Sequence, residues 1–186
     1  MQTFLDKAFR ETPEVREADR ILRSCVHCGF CNATCPTYQL LGDERDGPRG
    51  RIYLIKEMLE HGRASRETQI HLDRCLTCRA CETTCPSGVE YSKLLEIGRA
   101  VADRHVKRPV GEKILRKLIL KTAPNPDRMM MLMPLARLAK PLLPKSLAGS
   151  VPATHPDREP WPHAHHTRKV LLLQGCVQSV HRPEIN

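Results

Sequence analysis

Eight of the nine cysteines in the 186-residue chain fall into two copies of one pattern, C-x2-C-x2-C-x3-C-P. The first copy is Cys25, Cys28, Cys31, Cys35 and Pro36, and the second is Cys75, Cys78, Cys81, Cys85 and Pro86. This spacing is typical of ferredoxins that carry [4Fe–4S] clusters, where three thiolates of one loop bind one cluster. The sequence therefore predicts two [4Fe–4S] clusters and one-electron transfer, which requires no proton-transferring or nucleophilic side chain.

The fourth cysteine of each copy lies too far along the chain to reach the cluster of its own loop, and in two-cluster ferredoxins it binds the other cluster. The sequence thus predicts a crossed arrangement. The first cluster is expected on Cys25, Cys28, Cys31 and Cys85, and the second on Cys75, Cys78, Cys81 and Cys35. Each cluster would join distant segments, so cluster binding is expected to contribute to folding as well.

The repeat extends beyond the cysteines. The two copies are offset by 50 positions, as from Cys25 to Cys75. Besides the cysteines, identical residues recur at this offset in the pairs Leu22/Leu72, Thr34/Thr84 and Pro36/Pro86. Such a repeat predicts two half-sites related by pseudo-symmetry.

Other chemistry fits the pattern less well. Structural zinc sites use CxxC pairs but need neither the third cysteine nor the Cys-Pro pair. Disulfides require an oxidising compartment, and residues 1–7 do not resemble a signal peptide. Within the loops, Gly29 is expected to allow a close backbone approach to a cluster. His27 and Arg79 are either residues that tune the reduction potential or ordinary loop residues.

The elements that position these cysteines are predicted to be helices, and the fold class to be mostly α. Apolar residues at helical spacing, with proline, serine or glycine near the ends, indicate helices leading into and away from the loops. They are expected at Glu14–Ser24, from Pro48 to Gly62, from Ser65 to Cys75, at Tyr91–Val106 and at Glu112–Lys121, with Met129–Leu143 helical only in pieces because of its prolines.

The later part of the chain is predicted to be less regular. Ala148–Thr167 reads as a linker rich in Pro and His, and Val170–Leu173 as a buried strand that ends at Gln174-Gly175-Cys176. We therefore expect an α-helical ferredoxin domain over residues 1–109, a helical and Pro-rich linker over 110–168, and the start of a truncated α/β domain over 169–186. On this interpretation the chain is the front part of a longer polypeptide.

The net charge of +9 lies entirely in the second half of the chain. Because the segment with the cysteine motifs is electrically balanced, the charge argues against nucleic acid binding and favours a solvated surface or a docking face. The most apolar later stretch, Met129–Leu143, contains charges and prolines and is too short to span a bilayer. The chain is expected in the cytoplasm, where thiols stay reduced.

The sequence contains three weaker signals. His163, His165 and His166 form a tract that could bind a metal, although a solvated linker explains it better. The methionines from Met129 to Met133 suit either a soft docking surface or adaptable core filling. Cys176 stands alone, as a structural residue or as the first residue of another redox site.

Six strings of the sequence together resemble one family, the iron–sulfur subunit of glycolate oxidase (glycolate dehydrogenase), in its N-terminal part. They are CVHCGFC at 25–31, TCPTY at 34–38, DGPRGRIYLIK at 46–56, HLDRCLTC at 71–78, ETTCPSGV at 82–89 and VKRP at 106–109. The similarity resumes over residues 170–186. The cysteine motif is common to many families, but the whole set with the Gly-Pro-Arg-Gly-Arg segment is more specific.

The resemblance implies an α-helical ferredoxin domain followed by a cysteine-rich domain with Cys-Cys-Gly motifs, of which only Gly175-Cys176 falls in this chain. It implies partner subunits that carry FAD, oxidise glycolate to glyoxylate and pass electrons through the clusters toward a quinone, with a peripheral contact on the cytoplasmic face of the inner membrane left open. No catalytic residue is expected on this chain. The alternatives are the equivalent subunit of a lactate or glycerol 3-phosphate dehydrogenase, a stand-alone ferredoxin-like carrier, and a zinc-binding interaction module.

Overall fold

The computed structural model describes residues 1–6, 12–142, 148, 149, 151 and 175–181. The chain divides into two compact units, residues 1–108 and residues 109–186. In the described ranges every regular element is an α-helix or a 3-10 helix, so the predicted mostly α class is confirmed. The predicted strand at Val170–Leu173 and nearly all of the predicted linker lie outside the described residues. The predicted domain bounds remain a prediction.

In its described residues the first unit contains four longer helices and three short ones. Its helices are α1 (Pro13–Ser24), α2 (Phe30–Ala33), α3 (Pro36–Leu41), α4 (Pro48–His61), α5 (Arg66–Asp73), α6 (Ala80–Thr83) and α7 (Tyr91–His105), with a 3-10 turn at Glu44–Asp46. The four longer helices, α1, α4, α5 and α7, agree with the sequence prediction. The short helices were not predicted, because segments of four to six residues are too short to show a periodicity.

Local chemistry explains where these helices begin and end. Pro13 and Pro48 occupy the first turns of α1 and α4, where a missing backbone N–H costs nothing. The Ser65 hydroxyl accepts a hydrogen bond of 3.0 Å from the backbone N–H of Thr68 and so caps α5, as predicted. Gly62 ends α4 with a φ of +67°, a left-handed conformation that favours glycine.

The core of the first unit lies between its four longer helices. It is built from Val15, Ala18, Ile21 and Leu22 of α1, Ile52, Ile55, Met58 and Leu59 of α4, Leu72 of α5, and Leu94, Leu95, Val101 and Ala102 of α7. Cys25 and Cys81 belong to the same buried cluster. Because Leu22 and Leu72 are wholly buried just before the two cysteine loops, the core fixes where each loop begins.

Gly50 lies where α4 crosses the 3-10 turn at Glu44–Asp46. A Cβ atom at this position would contact the carbonyl oxygen of Glu44 and would lie 2.6 Å from its carbonyl carbon and 2.9 Å from Arg45 Cα. These are backbone atoms and cannot rotate away. We therefore expect Gly50→Ala to lower the free energy of unfolding by about 1–3 kcal/mol, the usual cost of overpacking, although alanine is the better helix former.

Gly111 in the second unit provides the matched control. No heavy atom lies within 4 Å of the position its Cβ would take, so Gly111→Ala should leave stability unchanged or raise it by up to about 1 kcal/mol. Urea denaturation followed by circular dichroism compares the two variants. Equal stabilities for the two would show that α4 does not contact the turn as closely as described.

The second unit is taken by itself. Where the structure describes it, it contains two longer helices, α8 (Val110–Thr122) and α9 (Pro126–Leu138), a 3-10 turn at Lys140–Leu142 and a single helical turn at Gln178–His181. The prediction that residues 129–143 form broken helical pieces is wrong at Pro134, because α9 continues through it. Pro134 leaves one helix carbonyl oxygen without its backbone donor. At the N-terminus of α9 the Asn125 side chain accepts from the N–H groups of Asp127 and Arg128 and so caps the helix. Among the described helices, none is both long and apolar enough to cross a membrane.

Candidate iron–sulfur sites

The two cysteine loops have the same backbone conformation at equivalent positions. His27 and Thr77 have φ values of +59° and +57°, and Gly29 and Arg79, two residues later, have values of +89° and +62°. Of the residues that the structure describes, only His27, Thr77 and Arg79 have a positive φ without being glycine. Backbone strain of this kind persists where the surrounding structure fixes it, and it often marks a functional site.

The first cavity contains about 430 Å³ of space, part of it open to solvent. Its walls include the four cysteines predicted for the first cluster, together with Cys81: Cys25, Cys28 and Cys31 come from the first loop, and Cys85 comes from the end of the second. Apolar side chains such as Ile52 and Val89 line much of the remainder.

The second cavity contains about 380 Å³ of space and mirrors the first. The four cysteines predicted for the second cluster line it: Cys75, Cys78 and Cys81 from the second loop, and Cys35 from the end of the first. The structure therefore brings each predicted set together in one cavity, split three and one between the loops. That each set binds a cluster remains a prediction, and all nine cysteines are free of disulfides.

The buried thiols are poor nucleophiles but suitable metal ligands. Burial, with a contribution from the neighbouring Cys25, raises the pKa of Cys31 to about 11. Burial and the neighbouring Cys75 raise the pKa of Cys81 to about 12. A protonated thiol is neither nucleophilic nor redox-active at neutral pH, whereas a bound metal deprotonates a coordinating thiol. Two groups of thiols in apolar cavities therefore fit metal clusters.

Backbone amides donate to cysteine sulfur atoms in both cavities. The N–H of His27 lies 3.4 Å from Cys25 Sγ, and the N–H of Thr77 lies 3.5 Å from Cys75 Sγ. These two contacts are equivalent by the 50-residue repeat. The N–H of Val89 lies 3.5 Å from Cys85 Sγ. Amide donors of this kind stabilise negative charge on sulfur and help to set the reduction potential of a bound cluster.

Two hydroxyl groups, neither of them predicted, also contact cysteine sulfur atoms. Thr37 Oγ1 lies 3.2 Å from Cys35 Sγ, and the Tyr91 hydroxyl lies 3.8 Å from Cys75 Sγ. Burial, with the nearby Cys75, raises the pKa of Tyr91 well above its usual value, so it keeps its proton and can donate. Tyr91 lines both cavities, but in the sequence it looks like an ordinary residue at the start of a helix.

A buried ionic network lies behind the second cavity. Asp46 accepts from His71 Nδ1 and from Arg74 Nη1, each at 2.9 Å, and Arg51 Nη2 lies 3.6 Å from its carboxylate. The side chains of Asp46, Arg51 and His71 are almost wholly inaccessible to solvent. Asp43 lies near Asp46 and His71, a grouping that could suit a cation, but Asp43 pairs with Arg45 at 2.7 Å. Arginines therefore already neutralise these carboxylates.

The other residues singled out in the loops occupy defined places. His27 lines the first cavity, and its buried Nδ1 has no hydrogen-bond partner in the described part of the chain. Burial, with a contribution from Arg49, lowers the pKa of His27. Gly29 also lines this cavity, and a Cβ there would lie 3.2 Å from the guanidinium carbon of Arg49. Arg79 lines the second cavity and pairs with Glu82 at 2.8 Å.

The three weaker sequence signals belong to the second unit. The His163, His165 and His166 tract falls outside the described residues. Cys176 is exposed. Of the methionines in α9, Met133 is buried and Met131 is exposed.

Comparison with known proteins places the cysteine motifs within a known domain. The model of a 4Fe–4S dicluster domain matches residues 21–89. The chain is 52% identical over all its 186 residues to the glycolate oxidase iron–sulfur subunit of Escherichia coli K12, of which it covers 46%. It is 43% identical over 98 residues to the probable glycolate oxidase iron–sulfur subunit of Bacillus subtilis 168, which is 52% of this chain and 22% of that protein.

A more distant relative is the succinate dehydrogenase iron–sulfur subunit of Paracoccus denitrificans, 30% identical over 109 residues, which is 54% of this chain and 42% of that subunit. No solved structure matches the chain. The chain thus spans less than half the length of these curated relatives. The predicted resemblance to the N-terminal part of the glycolate oxidase iron–sulfur subunit is confirmed.

Proposed function

We propose that this chain, a relative of the N-terminal part of glycolate oxidase iron–sulfur subunits, binds two [4Fe–4S] clusters and carries electrons for such an enzyme. One observation carries the proposal: each of two adjacent cavities gathers four cysteine thiols, three from one loop and one from the other. The proposed ligand sets are Cys25, Cys28, Cys31 and Cys85 for the first cluster, and Cys75, Cys78, Cys81 and Cys35 for the second.

When bound, clusters of this type accept and release single electrons. The residues of the chain hold the two sites side by side, since Pro48, Cys81 and Tyr91 line both cavities. Apolar walls limit the access of water, and amide and hydroxyl donors hold the sulfur atoms. Electron transfer between two such clusters requires only that they lie close together.

Partner subunits are part of the proposal. In it, subunits that carry FAD oxidise glycolate to glyoxylate and deliver electrons to the clusters, which pass them toward a quinone or another acceptor. The name of the Escherichia coli relative, a glycolate oxidase iron–sulfur subunit, supports glycolate as the substrate. The basic second half of the chain is a candidate for peripheral contact with the cytoplasmic face of the inner membrane.

The test is to purify the chain together with its flavin subunits under anaerobic conditions and to analyse bound metal and sulfide. We expect about eight irons and eight sulfides per chain, because each cluster contains four of each. Zinc at about two per chain, without sulfide, would instead establish the zinc module.

Adding substrate to the same preparation tests the partner and the substrate. Glycolate should reduce the clusters, seen as bleaching of their visible absorption and as new low-temperature EPR signals, whereas lactate and glycerol 3-phosphate serve as comparisons. Reduction by either comparison substrate but not by glycolate would assign the chain to a different dehydrogenase. Clusters that no substrate reduces through the flavin subunits would favour a stand-alone carrier.

A further inference from the structure

The two cavities differ in the polar side chains that contact their cysteines. Equivalent backbone donors act on the first cysteine of each loop, His27 N–H on Cys25 and Thr77 N–H on Cys75, and the first cavity has one more, Val89 N–H on Cys85. In contrast, the hydroxyl contacts of Thr37 and Tyr91 both involve cysteines of the second cavity, Cys35 and Cys75. The sequence repeat therefore gives two similar loops in which the polar surroundings of the ligands are unequal.

Thr37 lies at the centre of this difference. Its hydroxyl donates to the backbone carbonyl oxygen of Asp46 at 2.8 Å, and its oxygen lies 3.2 Å from Cys35 Sγ. A free Cys35 thiol can donate to the hydroxyl, but a thiolate ligand can only accept. In the cluster-bound state the Cys35 sulfur therefore competes with the Asp46 carbonyl oxygen for the hydroxyl proton, and a hydrogen bond to a charged acceptor is stronger than one to a neutral acceptor.

Arg51 holds the Thr37 hydroxyl in place. Both terminal nitrogens of its guanidinium donate to Thr37 Oγ1 at 3.2 Å, and its Nε donates to the carbonyl oxygen of His71 at 2.7 Å. These bonds occupy the lone pairs of the Thr37 oxygen. Its proton therefore points away from Arg51, toward the Asp46 carbonyl oxygen or the Cys35 sulfur. The Arg51 side chain is completely buried, so solvent does not screen its charge.

The charged groups around Arg51 give the second cavity a net positive electrostatic environment. The Arg51 guanidinium forms part of the cavity wall, whereas its counter-ion Asp46 does not. Asp46 is shared with Arg74, so that two guanidinium groups face one carboxylate. Arg79 also lines this cavity but is exposed and paired with Glu82.

Among its described residues, the first cavity has no hydroxyl held against sulfur by a buried arginine, and the positive charge beside Cys25 is the Met1 ammonium group, which donates to the Cys25 carbonyl oxygen at 2.6 Å. Its arginine, Arg49, is partly exposed and pairs directly with Glu44 at 2.6 Å. Ser87 is the repeat equivalent of Thr37, and within the described part of the chain it makes no hydrogen bond to a cysteine sulfur. The same position in the two repeats thus contacts sulfur in one half and not in the other.

We propose that the Thr37 hydroxyl, held by the buried Arg51, raises the reduction potential of the second cluster above that of the first. This inference rests on the proposed function, since it presupposes both clusters. Reduction adds one electron, and hydrogen bonds to sulfur and nearby positive charge stabilise the more negative state. Electrons that enter the pair therefore collect at the site of Cys75, Cys78, Cys81 and Cys35, which makes it the side from which they leave.

Thr37→Val tests the proposal, because valine keeps the shape of threonine and lacks the hydroxyl. Potentiometric titration followed by low-temperature EPR measures both clusters in one sample. The second cluster is identified as the signal altered by Cys78→Ser, since Cys78 lines only the second cavity. At a fixed potential, we expect its ratio of reduced to oxidised form to fall about tenfold, equal to about 59 mV for one electron.

Three further variants complete the design. Thr37→Ser retains the hydroxyl and should restore the wild-type potential. Thr83→Val is the matched control: Thr83 is exposed, its hydroxyl bonds the Ala80 carbonyl oxygen at 2.9 Å, and it lines neither cavity, so neither potential should move. Arg51→Lys keeps a positive charge but loses the pair of hydrogen bonds to Thr37. It should therefore lower the reduction potential of the second cluster, as Thr37→Val does.

The outcomes separate this inference from the proposed function. If iron and sulfide are absent, the proposed function fails and no potential can be measured. If both clusters are present and Thr37→Val shifts only the first cluster, shifts both equally or shifts neither, the role of Thr37 is overturned while the proposed function stands. A wild-type protein in which the second cluster has the lower potential would also overturn it.

Discussion

Replacing Cys85 by serine is expected to remove the cluster that belongs to the other loop. Cys85 lies in the second sequence repeat, but it lines the first cavity with Cys25, Cys28 and Cys31. The second cavity keeps its four cysteines in this variant. Iron and sulfide should therefore fall from about eight to about four of each per chain, because a serine hydroxyl is a poor substitute for the soft thiolate that iron–sulfur clusters select.

The reciprocal variant strengthens the test. Cys35→Ser should remove the cluster of the second loop and spare that of the first, since Cys35 lines the second cavity. Cys176→Ser is the matched control, because Cys176 is exposed and lines neither cavity. EPR of the reduced variants identifies the surviving cluster by its potential and line shape.

Three outcomes are distinguishable for Cys85→Ser. Loss of the first cluster alone supports the crossed ligand sets. Loss of the second cluster alone would mean that each loop binds its own four cysteines. Equal loss of both would mean that the variant fails to fold, and circular dichroism then shows whether the helices of the first unit have melted.

The sequence was most informative about the parts of the first unit that are governed by local rules. The cysteine spacing identified the loops, and the repeat anticipated that His27 and Thr77 share one backbone conformation. The helices α1, α4, α5 and α7 were predicted because each is long enough to show an apolar stripe. The grouping of Cys85 with the first loop also followed from spacing, since ligand reach is a local property.

The sequence did not reveal the residues that distinguish one cavity from the other. Asp46 and His71 are 25 positions apart in sequence, and their contact depends on how the 3-10 turn at Glu44–Asp46 packs against α5. Thr37 and Tyr91 look like ordinary residues near helix starts, and their contacts with sulfur follow from the tertiary fold. The prediction at Pro134 failed for a different reason. The local rule that a proline breaks a helix does not hold inside α9, which continues through this residue.

Asp46→Asn is expected to cause the largest loss of stability among single substitutions outside the cysteines. Asp46 is wholly buried and is the only carboxylate that the structure places against Arg51 within the described residues. The amide keeps the shape of the side chain but leaves the buried guanidinium without a counter-charge. Breaking a buried ion pair in this way costs about 3–5 kcal/mol.

A surface ion pair gives the control. Glu14→Gln removes the partner of Arg104, 2.9 Å away, where both side chains are more than half exposed. Such pairs contribute about 0–1 kcal/mol, because water and salt screen them. Anaerobic urea denaturation of the cluster-loaded proteins compares the two variants in the same metal state, so that cluster binding stabilises both equally. Similar small losses in both would show that Arg51 is adequately paired without Asp46.

A double variant then separates the loss of the interaction from the loss of the residue. In Asp46→Asn with Arg51→Gln, no uncompensated charge remains buried beside the second cavity, so the double variant should be less destabilised than the sum of its single variants. The same double variant should also lower the potential of the second cluster, since the buried guanidinium that holds Thr37 is gone. Stability would thus partly recover while the potential would not, because the carboxylate compensates the charge of Arg51 whereas the guanidinium itself positions the hydroxyl at Cys35.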